Sequence, residues 1–122
     1  MRYTISEMAA LLGVTTHTLR YYEKMGLIRP EVNRDTGYRY YTVTDTRRFN
    51  LCRELRAAGF TLEECKEFID ETSIPASDAM IERQVRRLER QKVLDELSIR
   101  FLRKTQEHYH ILEQDAGRVW VQ

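Results

Sequence analysis

Ile5, Met8, Ala9 and Leu12 recur at the spacing of one helical face, framed by Thr4 with Glu7 at a capping-box spacing and by Gly13. They predict a first helix of about two turns. A short corner from Val14 follows, with Thr15 and Thr16 as candidate N-caps. Leu19, Tyr22 and Met25 then line a second helix that ends at Gly26. Two short helices joined through a Gly-containing turn make the helix-turn-helix pattern. Pro30 blocks helical continuation, and Arg34-Asp35-Thr36-Gly37 is a turn between extended stretches, which predicts a hairpin over residues 28–41. Thr42 or Thr44 can open a third helix, in which Phe49, Cys52, Leu55 and Arg56 keep the helical period up to Gly59. Thr61 with Glu64 repeats the capping-box spacing and opens a fourth helix that buries Leu62, Cys65, Phe68 and Ile69. Ser73-Ile74-Pro75 is expected to close it.

From residue 77 to residue 116 nothing breaks the helical pattern, and Gly117 is the first candidate cap. Such a helix would be about 58 Å long. Its apolar positions fall into groups: Ile81, Val85 and Leu88, then Leu94, Leu97 and Phe101, then Leu102, Tyr109 and Leu112. Steps of three and four run inside each group with a slip between groups, the pattern of a coiled-coil seam with stutters. The stripe outlasts any core that the preceding residues can offer it, so pairing with a second copy is expected over folding back on the same domain.

Composition sharpens this picture. The chain has 122 residues, 42% hydrophobic and 32% charged, enough for one small domain with an appendage. No apolar run approaches a membrane span and nothing at Met1-Arg2-Tyr3-Thr4 resembles a signal peptide, so a cytoplasmic protein without a membrane partner is expected. The net charge of +1 hides an asymmetry. Residues 1–60 carry ten Lys+Arg against six Asp+Glu, whereas residues 61–75 carry one against five. A basic front half suits an anionic partner. Cys52 and Cys65 match neither a zinc spacing nor a C-x-x-C motif and read as reduced core residues. No metal and no cofactor is expected. No Ser/His/acid or Cys/His grouping and no Gly-rich phosphate loop is present, so the chain does not read as an enzyme.

The candidate chemistry lies in arginine–tyrosine clusters. In "GYRYY" three tyrosines crowd into four positions beside an arginine. Strand alternation sends Tyr38 and Tyr40 to one face and Arg39 and Tyr41 to the other, one pair inward and one displayed. A phenol can donate to a phosphate oxygen and a guanidinium can grip phosphate through two nitrogens, although tyrosines also favour strands simply to pack. The second helix repeats the composition. Arg20, Tyr21 and Lys24 lie near one surface while Leu19 and Tyr22 lean towards the core. An arginine there can meet guanine edges in a major groove, while the flanking tyrosine and lysine hold phosphates. Thr15, Thr16 and His17 begin that helix, where side chains and free amides can face DNA. For His17 taken alone, a solvated cap residue is expected over a base contact.

The segment "TISEMAALLGVTTHTLRYYEKMGLIRP", followed by "GYRYY" and "LRAAGFTLEE", closely resembles the DNA-binding region of MerR-family transcription regulators over residues 3–72. The resemblance implies a homodimer of winged helix-turn-helix domains joined by antiparallel dimerisation helices. The second helices would enter successive major grooves of double-stranded promoter DNA and the hairpins would act as wings. It also implies that an effector-bound form bends and untwists an overlong spacer so that RNA polymerase can use both promoter elements. Carried over by position, Arg20 would contact bases or adjacent phosphates, Tyr21 or Tyr22 the backbone, Arg39 and Tyr41 the wing phosphates, and Arg53 and Arg56 phosphates reached from the third helix.

The chain also departs from that family. Metal-sensing members place cysteines at or after the end of the dimerisation helix, and residues 66–122 contain none. His108 and His110 point about 200° apart on a helix and cannot share a metal. Cys52 resembles the placement of reactive thiols in some members but does not match their position relative to the following glycine. The expected fold is mostly α: a winged helix-turn-helix of four short helices plus a β-hairpin wing over residues 1–75, then a long coiled-coil helix over residues 76–116. Residues 117–122 look like either the first strand of a missing effector domain or a tail in which Trp120 docks on the partner protomer. The expected function is a promoter-binding regulator with an unidentified small-molecule effector. A winged-helix architectural or recombination-associated DNA-binding protein is the alternative.

Overall fold

The computed structural model describes residues 1–120, with side chains through residue 116. Helix α1 (Ile5–Leu12) carries the reciprocal Thr4–Glu7 capping box and ends at Gly13, whose φ of 69° only glycine adopts without strain. Helix α2 (Thr16–Lys24) is capped by Thr15, whose hydroxyl accepts from the Thr18 amide at 3.1 Å. Strands β1 (Glu31–Val32) and β2 (Arg39–Tyr40) form an antiparallel pair in which Glu31 faces Tyr40 and Val32 faces Arg39. Their turn is held by Asn33, whose side-chain oxygen accepts from the Asp35 and Thr36 amides. Just past β2, Tyr41 exchanges two backbone hydrogen bonds with Tyr3 at 2.7 Å each, so the N-terminal segment pairs with the end of the hairpin.

Helix α3 (Val43–Ala57) starts at Thr42, the first of the two expected caps, and α4 (Leu62–Asp70) begins with the Thr61–Glu64 capping box. Two apolar clusters lie beneath these elements. Met8, Ala9, Leu12, Leu19, Ile28, Tyr41 and Phe49 form one, and Leu27, Cys52, Phe60 and Cys65 form the other. Tyr22 packs against both. Its ring centroid lies 4.8 Å from that of Phe49. Cys52 and Cys65 are free thiols at zero exposure. Burial pushes both thiols up, Cys65 to about 12.

The largest difference from the sequence expectation concerns the last helix. Helix α5 spans Ile74–Trp120, so Ile74 and Pro75 open it rather than close α4, which ends at Asp70. Proline is compatible with a first helical turn, where its missing N–H has no intrahelical acceptor to lose. Ser73 Oγ accepts from the Ala76 amide at 3.4 Å, and the first helical bond runs from the Ser77 amide to the Ser73 carbonyl. At the other end α5 runs through Gly117, so residues 118–120 are helical rather than a strand. Val121 and the docking expected of the Trp120 side chain lie outside the described residues. The chain divides into two compact units, Met1–Met80 and Ile81–Gln122.

Candidate nucleic-acid interface

The solvent face of α2 presents His17, Arg20, Tyr21 and Lys24, all exposed, while Leu19 on the opposite face is fully buried. This follows from helical spacing, because one buried stripe leaves the intervening positions outside. Thr15 is exposed, and Thr16, the first residue of the helix, is half-buried. Tyr22 belongs to the core rather than to this face. Its exclusion from solvent raises the phenol pKa, with the Cys52 thiol as the next cause.

The hairpin gives its three tyrosines three different environments. Tyr38 is 68% exposed at the strand entrance, and Tyr40 is half-buried with the Arg2 guanidinium 6.0 Å from its ring centre. Tyr41 has zero exposure. The expectation that Tyr41 is displayed beside Arg39 is therefore overturned: its backbone pairing to Tyr3 carries the ring into the first core cluster. Alternation does place Arg39 and Tyr41 on a common side, and both reach Glu23 of α2. Arg39 Nε donates to Glu23 Oε1 at 2.8 Å, and Tyr41 Oη donates to Glu23 Oε2 at 3.2 Å. Burial first, then the Glu23 carboxylate, pushes the Tyr41 phenol to about 12.

One glutamate thus ties the wing to the second helix. Arg20 meets the wing there, lining a groove of about 490 Å3 with Thr4, Ile5, Tyr38, Arg39 and Tyr40. Arg20 and Lys24 also share a smaller hollow with Glu23 and Arg39. Sequence reasoning missed Glu23, Thr4 and Ile5, because their spacing along the chain carries no sign of this meeting.

Arg53 and Arg56 are exposed on α3, and each already has a local partner. Arg53 donates to the Leu12 carbonyl at 3.1 Å and to Asn50 at 2.8 Å, with its guanidinium 5.0 Å from the Phe49 ring centre. It thereby caps the end of α1 next to the turn into α2. Arg56 donates to the Phe60 carbonyl at 3.2 Å.

A second group unrecognised in the sequence holds the interface from behind. Arg48 donates to the Leu27 carbonyl at 2.7 Å and to Asp70 at 2.9 Å, linking the segment after α2 to α3 and α4. Asp70 also receives Arg29 and Lys66, each at 3.2 Å. The Arg48 hydrogen bond, ahead of the Lys66 bond and the Arg29 charge, holds the Asp70 carboxyl below the usual carboxylate range despite its desolvation. Beside this hub, buried Asp45 accepts from the Arg29 and Thr42 amides at 3.0 and 3.1 Å, fixing both ends of the hairpin.

Known proteins resemble this chain in sequence and fold. The family described as MerR HTH family regulatory protein matches residues 3–72. The transcriptional regulator CueR of Yersinia pestis is 42% identical over 65 residues, covering 53% of this chain and 47% of that protein. The chain spans about half the length of the curated relatives it matches. The crystal structure of the N-terminus of MtaN, the Bacillus subtilis multidrug transporter activator, aligns with a TM-score of 0.72 at 28% identity, covering 84% of this chain and 96% of that one. The crystal structure of HiNmlR, a MerR family regulator lacking the sensor domain and bound to promoter DNA, aligns with a TM-score of 0.61 at 28% identity, covering 90% and 91%. With its helix-turn-helix, wing and following helices matched in order over residues 3–72, the chain belongs to the MerR family of regulatory proteins.

Proposed function

We propose that this chain is a transcription regulator that binds double-stranded promoter DNA as a homodimer and acts through RNA polymerase at that promoter. The observation that carries the reading is the groove in which Arg20 of α2 meets Arg39 and Tyr38 of the wing. A helix that reads base edges and a wing that holds phosphates must be fixed relative to one another, and the shared Glu23 carboxylate supplies that rigidity.

Arg20 contacts base edges or the phosphates beside them, and His17, Tyr21 and Lys24 lie along the same face to hold the backbone. Thr15 and Thr16 bring the amino end of α2 towards a phosphate. Arg39, Tyr38 and Tyr40 form the wing contact, and Arg53 and Arg56 add positive charge from α3. Tyr22 and Tyr41 support these groups from within the core. Exposed apolar residues along one face of α5, among them Ile81, Val85, Leu88 and Leu102, join two copies. Two linked domains gain from a distorted duplex because contacts at both ends offset the deformation of the spacer. The reading assigns no catalysis to the chain. No described helix is long and apolar enough to cross a membrane.

The test is selection of bound fragments from genomic DNA by the purified protein, followed by footprinting and transcription from the selected promoter with and without candidate effectors. Protection inside a spacer between two promoter elements is expected. Protection confined to recombination arms would favour the architectural alternative, and equal affinity for every duplex would overturn sequence-specific regulation.

A further inference from the structure

We propose that Lys92 and Asp95 set the direction and register in which two copies of α5 pair, through two reciprocal ion pairs at the centre of the seam. This rests on the dimer reading above and specifies it. Because α5 is unbroken from Ile74 to Trp120, its apolar positions can be followed on one continuous helix. Alternating steps of four and three lead from Ile81 to Val85 and Leu88, then through Lys92 and Asp95 to Ile99 and Leu102. The same steps reach Gln106 and Tyr109. This is one uninterrupted coiled-coil row, and it needs none of the slips between the three apolar groups expected from the sequence. Leu94, Leu97 and Phe101 lie on the far side of the helix and stand outside the row, at about 100° per residue, while Leu112 flanks its end beside Tyr109.

In the protomer the row is uncovered: Val85 is 38% exposed, Leu88 49%, Ile99 57% and Leu102 62%. An antiparallel partner that sets Lys92 against Asp95 of the partner subunit also sets Leu88 against the partner's Ile99 and Val85 against the partner's Leu102. Every aliphatic residue in the central stretch then meets another, and each charge meets its opposite twice by symmetry. The hollow beside Ile99, Leu102, Gln106 and Tyr109, about 470 Å3, receives the side chains of that opposing stretch. Asp95 is prepared for this role. Its Oδ1 accepts from Gln91 Nε2 at 2.8 Å, and Oδ2 has no partner among the described residues.

Other arrangements of the same row are penalised. A shift by one heptad places Lys92 against the partner's Leu102 or Leu88, and Asp95 against the partner's Ile99 or Val85, burying charges beside aliphatic groups. A parallel, in-register pair sets lysine against lysine and aspartate against aspartate. Polar residues within a seam select register and orientation in this way at some cost in stability.

Sedimentation equilibrium on the full chain tests the proposal, with circular dichroism to confirm that each variant keeps its helical content. Lys92→Asp and Asp95→Lys should each weaken self-association at least tenfold, because both place like charges together. The double variant Lys92→Asp/Asp95→Lys should return to wild-type association. An equimolar mixture of the two single variants should form heterodimers well beyond the statistical share. Single variants that dimerise as tightly as wild type, or a double variant that does not recover, would overturn the register while leaving the dimer intact. A wild-type chain that remains monomeric would overturn the dimer reading and the register with it.

Discussion

Arg39 Nε donates to Glu23 Oε1 at 2.8 Å, joining the wing to the second helix on the surface that carries Arg20. The other oxygen of the same carboxylate is taken by buried Tyr41, so the wing arginine is held against a fixed part of the core. A cation restrained in this way loses less freedom on meeting phosphate than one on a free loop.

Arg20→Ala should lower the preference for the operator over random duplex, whereas Arg39→Ala should weaken binding to both. The salt slope of log affinity should fall by about 0.9 for each phosphate contact that Arg39 supplies. Filter binding across a salt series measures both quantities. Equal loss of preference in the two variants would contradict the division between reading and holding.

Tyr41 and Cys65 should make the fold sensitive to alkali. Both folded pKa values stand near 12, raised from ordinary values of 10.0 and 9.0. The unfolded chain therefore releases these protons first, and stability that is complete below pH 9 falls as pH rises towards 12. Urea melts from pH 8 to pH 12 should show this decline, with a shallower slope above pH 10 in Tyr41→Phe. At neutral pH the same variant should cost about 1 kcal/mol for the lost Glu23 hydrogen bond. An unchanged alkaline slope would show that Tyr41 does not titrate with folding.

Asp70→Asn removes the negative charge shared by Arg48, Arg29 and Lys66 and one of its two acceptor oxygens, and should destabilise the fold by about 1 to 3 kcal/mol. Because the folded carboxyl is held below its ordinary value of 3.8, its contribution is present above that pH and is lost as pH falls through the lower, folded value. The gap in stability between wild type and variant should therefore close below pH 3.8 in acid titrations followed by circular dichroism. A gap that persists there would place the effect elsewhere.

Leu88→Asp should convert a dimer to monomers in sedimentation, since it introduces an unpaired charge into the middle of an apolar row. The fold of the first unit should survive, because Leu88 lies in the second compact unit and belongs to neither core cluster. An intact dimer would show that this row is not the interface.

Helix starts were legible in the sequence because they depend on residues three apart. Thr4 with Glu7, Thr15 with Thr18, and Thr61 with Glu64 make the short contacts their spacing predicts. Buried stripes such as Met8, Ala9 and Leu12 were legible for the same reason, since one helical period repeats locally. The turn after Asn33 and the exposed face carrying Arg20 and Lys24 follow from equally local rules.

Local reasoning failed where a residue's environment depends on a distant partner. The start of α5 is a separate, local case: Ser73-Ile74-Pro75 looked like a stop because proline ends helices as readily as it opens them, and the Ser73 cap on the Ala76 amide shows it to be a start. Alternation put Tyr41 beside Arg39, but it could not tell that the pairing with Tyr3 would draw the ring into the core and leave Arg39 outside. Glu23 lies 18 positions from Tyr41, and Arg48 lies 22 from Asp70. Periodicity and capping determined the elements and their faces, because backbone hydrogen bonds join near neighbours. Which charges and phenols meet was decided by tertiary packing, because burial makes a partner compulsory without specifying where along the chain it lies.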